Sequence, residues 1–366
     1  MGLFTLLVLA VLLAAGVVVY LEATGRFLGT HPPVEPIRVE ADPSGLPEIE
    51  AFLQEEFIRK PRAQLKTGMS RLDLTRDKRA LFDALGEGRD FGDATFHRAD
   101  VTDSLSGEWT TVPNSDPARR LLYLHGGAFS VGSAKSHRPV TAALARAMNA
   151  SVFAPDYRLM PEHPRIASAE DARAAYRWML GLGPAGASDA REVYVAGDSA
   201  GGSLTLHILQ WARDGGLRQA DAAAVFSPST DYTLTSRTVH SNFPTDTMLQ
   251  PAFKPFKDLP RPVLAAGLWK LNRLRPSHPV ASPLFGDLRN LPPTLIQVST
   301  TEILLDDARR YAAKAVAQGS EVELEEWTAD SPGAPLPHVW HIFDRELPAA
   351  REAVKRAGEW MLKHAP

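Results

Sequence analysis

The stretch Glu192-Val-Tyr-Val-Ala-Gly-Asp-Ser199-Ala-Gly-Gly202-Ser-Leu-Thr-Leu-His-Ile-Leu209 combines a strand pattern, a sharp turn and a helix pattern. The branched and aromatic residues at 193–195 favour a buried parallel strand, and the apolar residues after the turn recur on one helical face. Between them, Gly197-Asp-Ser199-Ala-Gly201 is a G-x-S-x-G sequence. It is typical of a strained turn that lifts a serine hydroxyl above a sheet at a helix N-terminus. The alternative is an ordinary glycine-rich turn, so the choice depends on the rest of the chain.

The composition is that of a globular protein with one large α/β domain or two smaller ones. Of the 366 residues, 44% are apolar and 23% are charged, which is typical of such proteins. The net charge of -3 and the lack of a basic stripe argue against a nucleic-acid partner. The chain has no cysteine, which excludes disulfides, thiolate zinc sites and a cysteine nucleophile.

The N-terminal segment, residues 1–22, has the composition of a membrane span or a signal sequence. No charged residue occurs from Gly2 to Leu21, and an apolar run of this length is sufficient to cross a bilayer. A cleaved signal peptide needs a basic start, but the first Lys or Arg of the chain is Arg26. We therefore predict a membrane-anchored protein with a single N-terminal helix, on an undetermined side of the membrane. Residues 23–45 are predicted to be a linker.

Residues 46–90 contain helical patterns and are predicted to form N-terminal cap helices. Apolar residues recur at helical spacing from Leu46 to Phe57, which predicts an amphipathic helix. Pro61 is predicted to end that helix, because proline lacks the N–H that a helix interior requires.

Residues 91–366 are predicted to be one catalytic domain in which strands and helices alternate. This alternation implies a mostly parallel sheet with helices on both faces. The predicted strands cover residues 121–124, 151–155, 193–195, 222–226, 294–299 and 322–327, and the predicted helices cover residues 139–148, 169–180, 303–318 and 345–362. The alternation is interrupted at about residues 242–293, a segment with ten prolines that is predicted to form a lid over the carboxyl ends of the strands.

The proline-rich insertion also carries an excess of basic residues. Six Lys or Arg residues between 254 and 275 face a single acid, Asp258, and apolar residues lie among them near helical spacing. A solvated cap helix that packs its apolar side on the body accounts for this pattern. The alternative is a basic amphipathic face that rests on anionic lipid.

The residues needed to activate a serine occur in the chain in a consistent order. A serine nucleophile needs a base, the base needs an orienting carboxylate, and the reaction needs backbone donors for an oxyanion. The sequence His125-Gly-Gly-Ala128 follows one predicted strand, and Ser199, Glu302 and His338 follow others. Since the carboxyl ends of parallel strands meet at one edge of a sheet, we expect these groups to lie together.

Other residues compete for two of these positions. Asp306 and Asp307 are alternatives to Glu302 as the acid, but they fall a turn or more into the predicted helix that follows. His341 is the alternative base, three residues beyond His338. We predict that Ser199, Glu302 and His338 are the catalytic residues.

Six motifs carry a family resemblance over about two thirds of the chain. They are His125-Gly-Gly-Ala128, Asp156-Tyr-Arg-Leu-Met-Pro-Glu-His-Pro164, Gly197-Asp-Ser-Ala-Gly-Gly202, Ser282-Pro-Leu-Phe285, Glu302-Ile-Leu-Leu-Asp-Asp307 and His338-Val-Trp340. Together they resemble the hormone-sensitive-lipase group of α/β-hydrolase esterases, relatives of the arylacetamide deacetylases. The resemblance implies an α/β-hydrolase fold with a mostly parallel, eight-stranded sheet, helices on both faces, and a helical cap built from the N-terminal helices and part of the insertion.

The resemblance also assigns further site residues. It implies that the backbone N–H groups of Gly127, Ala128 and Ala200 form the oxyanion hole. The family usually has a third glycine where this chain has Ala128, and we expect alanine to serve there with a negative φ. Supporting residues of the motifs are His125, Gly126 and Asp198, with Tyr157 beside them. Four histidines have no paired acid at metal-ligand spacing and are interpreted as structural, namely His137, His163, His207 and His341.

These observations predict a serine carboxylesterase or lipase that acts on a small acyl-ester or lipid-like substrate through an acyl-serine, with no cofactor and no metal. An amide hydrolase or deacetylase is the alternative on the same fold. A catalytically silent ligand receptor is a third possibility, because hydrolase folds have been reused for binding. The sequence leaves the oligomeric state open.

Overall fold

One large, mostly parallel sheet organises the computed structural model, which describes residues 16–17, 30–66, 68, 70–344 and 346–365. Its strands are β1 (Ile37–Glu40), β2 (Thr95–Thr102), β3 (Leu105–Thr111), β4 (Asp116–Leu124), β5 (Ala150–Pro155), β6 (Glu192–Asp198), β7 (Ala222–Phe226), β8 (Thr294–Ser299) and β9 (Val322–Thr328). They lie in the order β1-β9-β8-β7-β6-β4-β5-β3-β2. Among the described strand pairs of this sheet, only β2–β3 and β3–β5 are antiparallel. The predicted fold class is confirmed, with nine strands in the described part of this sheet instead of eight.

Helices cover both faces of this sheet. They are α1 (Leu46–Leu53), α2 (Lys60–Lys66), α3 (Arg71–Gly86), α4 (Arg138–Met148), α5 (Arg165–Gly181), α6 (Ser199–Asp214), α7 (Thr238–Ser241), α8 (Gln250–Phe253), α9 (Arg261–Asn272), α10 (Leu305–Ala317) and α11 (Pro348–Lys363). Helices α1, α4 and α11 pack on one face, and α5, α6 and α10 pack on the other.

The central strands are apolar on both sides because both of their faces are buried. Tyr194 of β6 packs into the core with α4 and α11, while its neighbours Val193 and Val195 pack against α5 and α6. This alternation follows from the two-residue period of a strand. Complete burial of each such side chain stabilises the fold by about 1.5–3 kcal/mol. It also explains why the strand shows an unbroken apolar run in the sequence.

The parallel pairing brings four functional loops to one edge of the sheet. Strand β4 pairs with β6, β6 with β7, β7 with β8, and β8 with β9, all in parallel. The loops that follow β4, β6, β8 and β9 carry the predicted site residues, so these residues share one end of the sheet.

The additional strand, β1, lies in the segment predicted to be a linker. Residues 37–40 pair in parallel with residues 325–328 of β9, and the N–H of Ala41 donates to the carbonyl of Thr328 at 2.7 Å. The strand is short and largely exposed, and the alternation in Ile37-Arg-Val-Glu40 involves only two apolar residues, which is a weak strand signal. Pairing with the free edge of β9 decides its conformation.

The first N-terminal helix does not end at Pro61, contrary to the prediction. A π-helical segment, Gln54–Arg59, follows α1 and leads directly into α2. Pro61 is the second residue of α2. The π-helical segment directly before Pro61 already interrupts the i→i−4 hydrogen bonds of the helix, since the N–H of Lys60 donates to the carbonyl of Glu55, so the missing N–H of proline does not end it.

The proline-rich insertion packs on the loop that carries Glu302. Leu264 and Leu268 of α9 are buried in a cluster with Leu234, Val239, Ile303 and Leu304. The apolar side of α9 therefore rests on the body of the domain, as the interpretation of a cap helix requires.

The predicted membrane localisation is wrong, because no helix within the described residues is long and apolar enough to cross a bilayer. The prediction rested on residues 1–22, of which the structure describes only 16 and 17. An apolar run of sequence specifies hydrophobicity alone.

Candidate active site

Ser199 lies at a strained turn between β6 and α6, at the edge of the sheet described above. Its φ is 50°, a left-handed conformation that is costly for any residue except glycine. A Cβ atom at Gly197 or Gly201 would lie 2.5 Å or 1.8 Å from the carbonyl oxygen of Leu124. The two glycines are thus required because the turn passes so close to the end of β4.

Ser199, His338 and Glu302 form a continuous chain of hydrogen bonds. The Oγ of Ser199 lies 2.9 Å from His338 Nε2, and His338 Nδ1 lies 2.6 Å from Glu302 Oε2. All three side chains are buried, and Ser199 keeps 8% of its surface accessible. This geometry is that of a serine nucleophile, its base and an orienting acid.

Glu302 is held in place by donors from two neighbouring strands. Its Oε1 accepts hydrogen bonds from the backbone N–H of Ser299 at 2.7 Å and from the hydroxyl of Ser227 at 2.8 Å. The competing acids point elsewhere. Asp306 accepts from the N–H of Arg237 at 3.1 Å, and Asp307 accepts from the N–H groups of residues 230 and 231, both at 2.9 Å.

The carboxylate of Glu302 makes His338 a stronger base. Burial by itself lowers the pKa of His338, but the charge of Glu302 and its hydrogen bond outweigh burial and raise that pKa above its ordinary value. The alternative base, His341, faces away from the serine. It is buried with its Nε2 at 3.1 Å from Gln297 Oε1, and burial lowers its pKa to about 3.

The loop after β4 presents backbone donors beside Ser199. The Oδ1 of Asp198 accepts from the N–H of Gly126 at 2.9 Å, and Tyr157 donates from its hydroxyl to the carbonyl of His125 at 2.5 Å. Within the described part of the chain, the N–H groups of Gly127 and Ala128 donate to no protein acceptor. They are therefore available to an oxyanion.

Ala128 does not have the negative φ that we expected from its sequence position. Its φ is 53°, and Gly127 before it has a φ of 111°. The loop closes tightly, since the N–H groups of Ser130 and Val131 both donate to the carbonyl of Gly127 at 3.0 Å. This closure imposes the left-handed conformation, and it explains why glycine is the usual residue at this position.

Comparison with known proteins agrees with this arrangement. Residues 121–334 match the family described as the alpha/beta hydrolase fold. The chain is 40% identical to an acetyl-hydrolase of Streptomyces hygroscopicus over 257 residues, which cover 70% of this chain and 79% of that protein. It is 33% identical to the esterase LipU of Mycobacterium tuberculosis over 250 residues, which cover 68% and 80%.

The chain belongs to the α/β-hydrolase family. Among solved structures, an esterase of the bacterial hormone-sensitive lipase family matches this α/β hydrolase with a TM-score of 0.72 and 32% identity, over 89% of this chain and 99% of that one. The resemblance to the hormone-sensitive-lipase group is thus confirmed. With Ser199, His338 and Glu302 assembled, this α/β hydrolase is a serine ester hydrolase.

An apolar cavity of about 790 Å³ opens above Ser199 in this hydrolase. Its wall includes the side chains of Phe129, Tyr232, Leu249, Phe253, Phe256 and Leu268. Most of the roof comes from the insertion, whereas the described residues of the predicted cap helices at 46–90 contribute Thr75 alone to the lining. Lys270 and Arg273 stand at the exposed rim.

Sequence reasoning missed Asp246, a buried carboxylate of the insertion that interacts with the site. Its Oδ2 accepts from the N–H of Ile303 at 2.8 Å, and its Oδ1 accepts from the N–H of Leu249 at 2.9 Å. Burial raises the pKa of Asp246 to about 6, and its charge contributes to the raised pKa of His338. No spacing signal in the sequence marks this aspartate, because its partners come from a different part of the chain.

The other predicted histidines take structural positions. His137 Nε2 lies 3.3 Å from Asp198 Oδ1, and His207 Nε2 accepts from the guanidinium of Arg173 at 2.8 Å. Within the described residues, no group of three or more His, Cys, Asp or Glu side chains lies close enough to hold a metal ion.

Proposed function

We propose that this hydrolase cleaves carboxylic esters with Ser199 as the nucleophile, His338 as general base and acid, and Glu302 as the orienting carboxylate. The observation that carries the proposal is the chain of hydrogen bonds from Ser199 through both ring nitrogens of His338 to Glu302, at 2.9 Å and 2.6 Å. A base in contact with the hydroxyl serves proton transfer. A silent receptor has no use for it, so ligand binding alone is not favoured.

In the acylation step, Ser199 Oγ attacks the carbonyl carbon of the ester and its proton moves to His338 Nε2. The resulting imidazolium is stabilised by the carboxylate of Glu302 across the contact at 2.6 Å. When the tetrahedral intermediate collapses, the bond to the alcohol oxygen breaks and that oxygen takes the proton from His338. The alcohol leaves, and the acyl group stays on Ser199.

In the deacylation step, water takes the place of the alcohol. His338 accepts a proton from the water as the water oxygen attacks the acyl carbon, and it returns that proton to Ser199 Oγ as the ester bond breaks. The carboxylic acid is released and the serine is restored.

Negative charge in both steps develops on the former carbonyl oxygen. We assign its stabilisation to the backbone N–H groups of Gly127, Ala128 and Ala200. The first two donate to no acceptor in the described part of the chain, and Ala200 is the second residue of α6, where helical N–H groups have no partner within the helix. Loss of one such donor in other enzymes costs about 10²–10³-fold in turnover.

The cavity supports an apolar acyl group of short or medium length. Aromatic and aliphatic side chains form most of its wall, and its volume of about 790 Å³ lies within the range of about 300–1,000 Å³ that is usual for small-molecule sites. The relative named above as an esterase supports an ester substrate for this hydrolase. We therefore expect p-nitrophenyl butyrate and octanoate to be better substrates than the palmitate.

The proposal is tested by covalent labelling of the nucleophile. A fluorophosphonate should add once per chain, and Ser199→Ala should abolish both the label, measured by intact-protein mass spectrometry, and p-nitrophenyl ester hydrolysis. The matched control is Ser203→Ala, one turn further along α6, where the hydroxyl is buried and makes no hydrogen bond within the described structure. That variant should keep both properties. Normal hydrolysis by folded Ser199→Ala would reject the proposal.

A further inference from the structure

A second cavity, the cap groove, lies between helices α1–α3 and the insertion. It is lined by Phe57, Ile58, Leu65 and Leu74 on one side and by Pro251 and Pro255 on the other. Its volume of about 440 Å³ falls within the range of small-molecule sites. The function proposed above does not use this groove.

The charged groups of the cap groove are all positive. Arg62, Lys78 and Lys254 line it, and none of the described Asp or Glu side chains does so. Within the described residues, none of the three cations forms an ion pair or a hydrogen bond with another side chain. An apolar groove with unpaired cations complements a ligand that has an apolar body and a negative charge.

Of the three cations, Lys78 is the one that is partly buried, whereas Arg62 and Lys254 are exposed. It is half-buried, and its Nζ lies 5.9 Å from the centroid of the Phe57 ring. Burial lowers the pKa of Lys78, and no neighbouring carboxylate offsets this effect. A partly desolvated ammonium without a counter-ion is unfavourable, so an anion bound beside it would be stabilised.

The cap groove borders the active-site cavity. Thr75 lines both cavities, and the short helix α8 contributes Gln250 to the groove and Phe253 to the cavity above Ser199. An amphiphile bound in the groove therefore lies next to the roof under which the acyl chain of a substrate would bind.

We propose that the cap groove binds a fatty acid in its carboxylate form. The hydrocarbon chain lies along Phe57, Leu65 and Leu74, and the carboxylate pairs with Lys78. A neutral lipid would leave the three cations unpaired, and a nucleotide or other polyanion would not use the apolar wall. A single carboxylate on a hydrocarbon chain matches both features.

The test must separate the groove from the active site, which can also hold an acid. Ser199 is first blocked in the full chain with a dodecyl phosphonate, whose alkyl chain occupies the cavity above the serine. Dodecanoate is then titrated into the blocked enzyme by calorimetry. We expect one dodecanoate per chain, with binding at least about tenfold weaker in Lys78→Met, which corresponds to about 1.4 kcal/mol. Dodecanol, which lacks the negative charge of the carboxylate, should bind weakly to both the wild type and Lys78→Met.

Two further variants keep this test decisive. Lys78→Arg retains the charge and should bind dodecanoate within a few-fold of the wild type, while Lys66→Met, an exposed lysine of α2 that does not line the groove, should bind normally. All variants should hydrolyse p-nitrophenyl butyrate at the wild-type rate before blocking. Absence of dodecanoate binding to the blocked enzyme, or equal binding by folded Lys78→Met, would overturn the proposal. So would binding to phosphatidylglycerol vesicles without binding of monomeric dodecanoate.

Discussion

Left-handed backbone conformations concentrate around the reacting groups. Ala128, Ser199, Ser227 and Val339 have φ values of 53°, 50°, 49° and 49°, and each conformation costs of order 1–3 kcal/mol for a residue other than glycine. Ser227 donates to Glu302, and Val339 directly follows His338. The strain is held by the packed ends of the strands, and it places a hydroxyl, an acid and a base in contact at one edge of the sheet.

The identity of the acid is the prediction that belongs to the residue scale. Glu302→Gln should fold normally, because glutamine can still accept from Ser299 and Ser227, but it should lose most of its kcat. Loss of the orienting carboxylate from a serine triad costs about 10⁴-fold. The matched control is Asp306→Asn, which should stay within a few-fold of the wild type, because Asp306 contacts the N–H of Arg237 instead of His338.

The pH profile gives this prediction a second readout. Only neutral His338 can accept the serine proton, so kcat/KM of the wild type should fall with decreasing pH through a pKa above the ordinary 6.5. Since Glu302 is what raises this pKa, the residual activity of Glu302→Gln should have its acidic limb shifted to lower pH. A folded Glu302→Gln with normal turnover, beside an inactive Asp306→Asn or Asp307→Asn, would show that the acid is misassigned.

At the scale of elements, most of the sheet could be predicted from the sequence. Strands β7 and β8 have the predicted bounds, because each is a short, mainly apolar run that lies between polar or proline residues. Three differences from the sequence predictions arise from contacts outside the local pattern. The conformation of β1 is set by a strand distant in sequence, that of Ala128 by loop closure, and Asp246 joins the site only through contacts with a different part of the chain. A local sequence pattern contains no information about such contacts.

The insertion sets the shape of the substrate cavity, and α8 provides the test. Phe253→Ala removes an aromatic side chain from the wall, so the ratio of kcat/KM for p-nitrophenyl palmitate to that for the butyrate should rise by about tenfold, as expected for added room in an apolar pocket. Leu259→Ala, an exposed site in the same insertion outside this cavity, should leave the ratio unchanged. An equal palmitate-to-butyrate ratio in Phe253→Ala and Leu259→Ala would show that α8 does not line the acyl site.

At the scale of the whole molecule, two buried titratable groups make the stability of the fold depend on pH in opposite directions. Burial lowers the pKa of His341 to about 3, from 6.5, so between these values the unfolded chain binds one more proton at this residue than the folded chain. Its contribution to stability is present above pH 6.5 and is lost as the pH falls. Burial raises the pKa of Asp246 to about 6, from 3.8, so the folded chain binds the extra proton there. Its contribution is present below pH 3.8 and is lost as the pH rises.

Two substitutions should therefore change the pH dependence of stability with opposite signs. In the shared window, at about pH 4.5–5.5, each group contributes up to about 1.4 kcal/mol per pH unit to the slope of the unfolding free energy. His341→Gln should make that slope less positive than in the wild type, because stability no longer falls with acid at this residue. Asp246→Asn should make it more positive, because stability no longer falls with rising pH at that carboxyl. Urea unfolding of the three proteins at several pH values measures the slopes independently of any uniform loss of stability. Parallel plots for the wild type and both variants would mean that neither group changes its proton affinity on folding. Divergent plots would show that both buried groups, including Asp246, which interacts with His338, contribute to the response of this fold to acid.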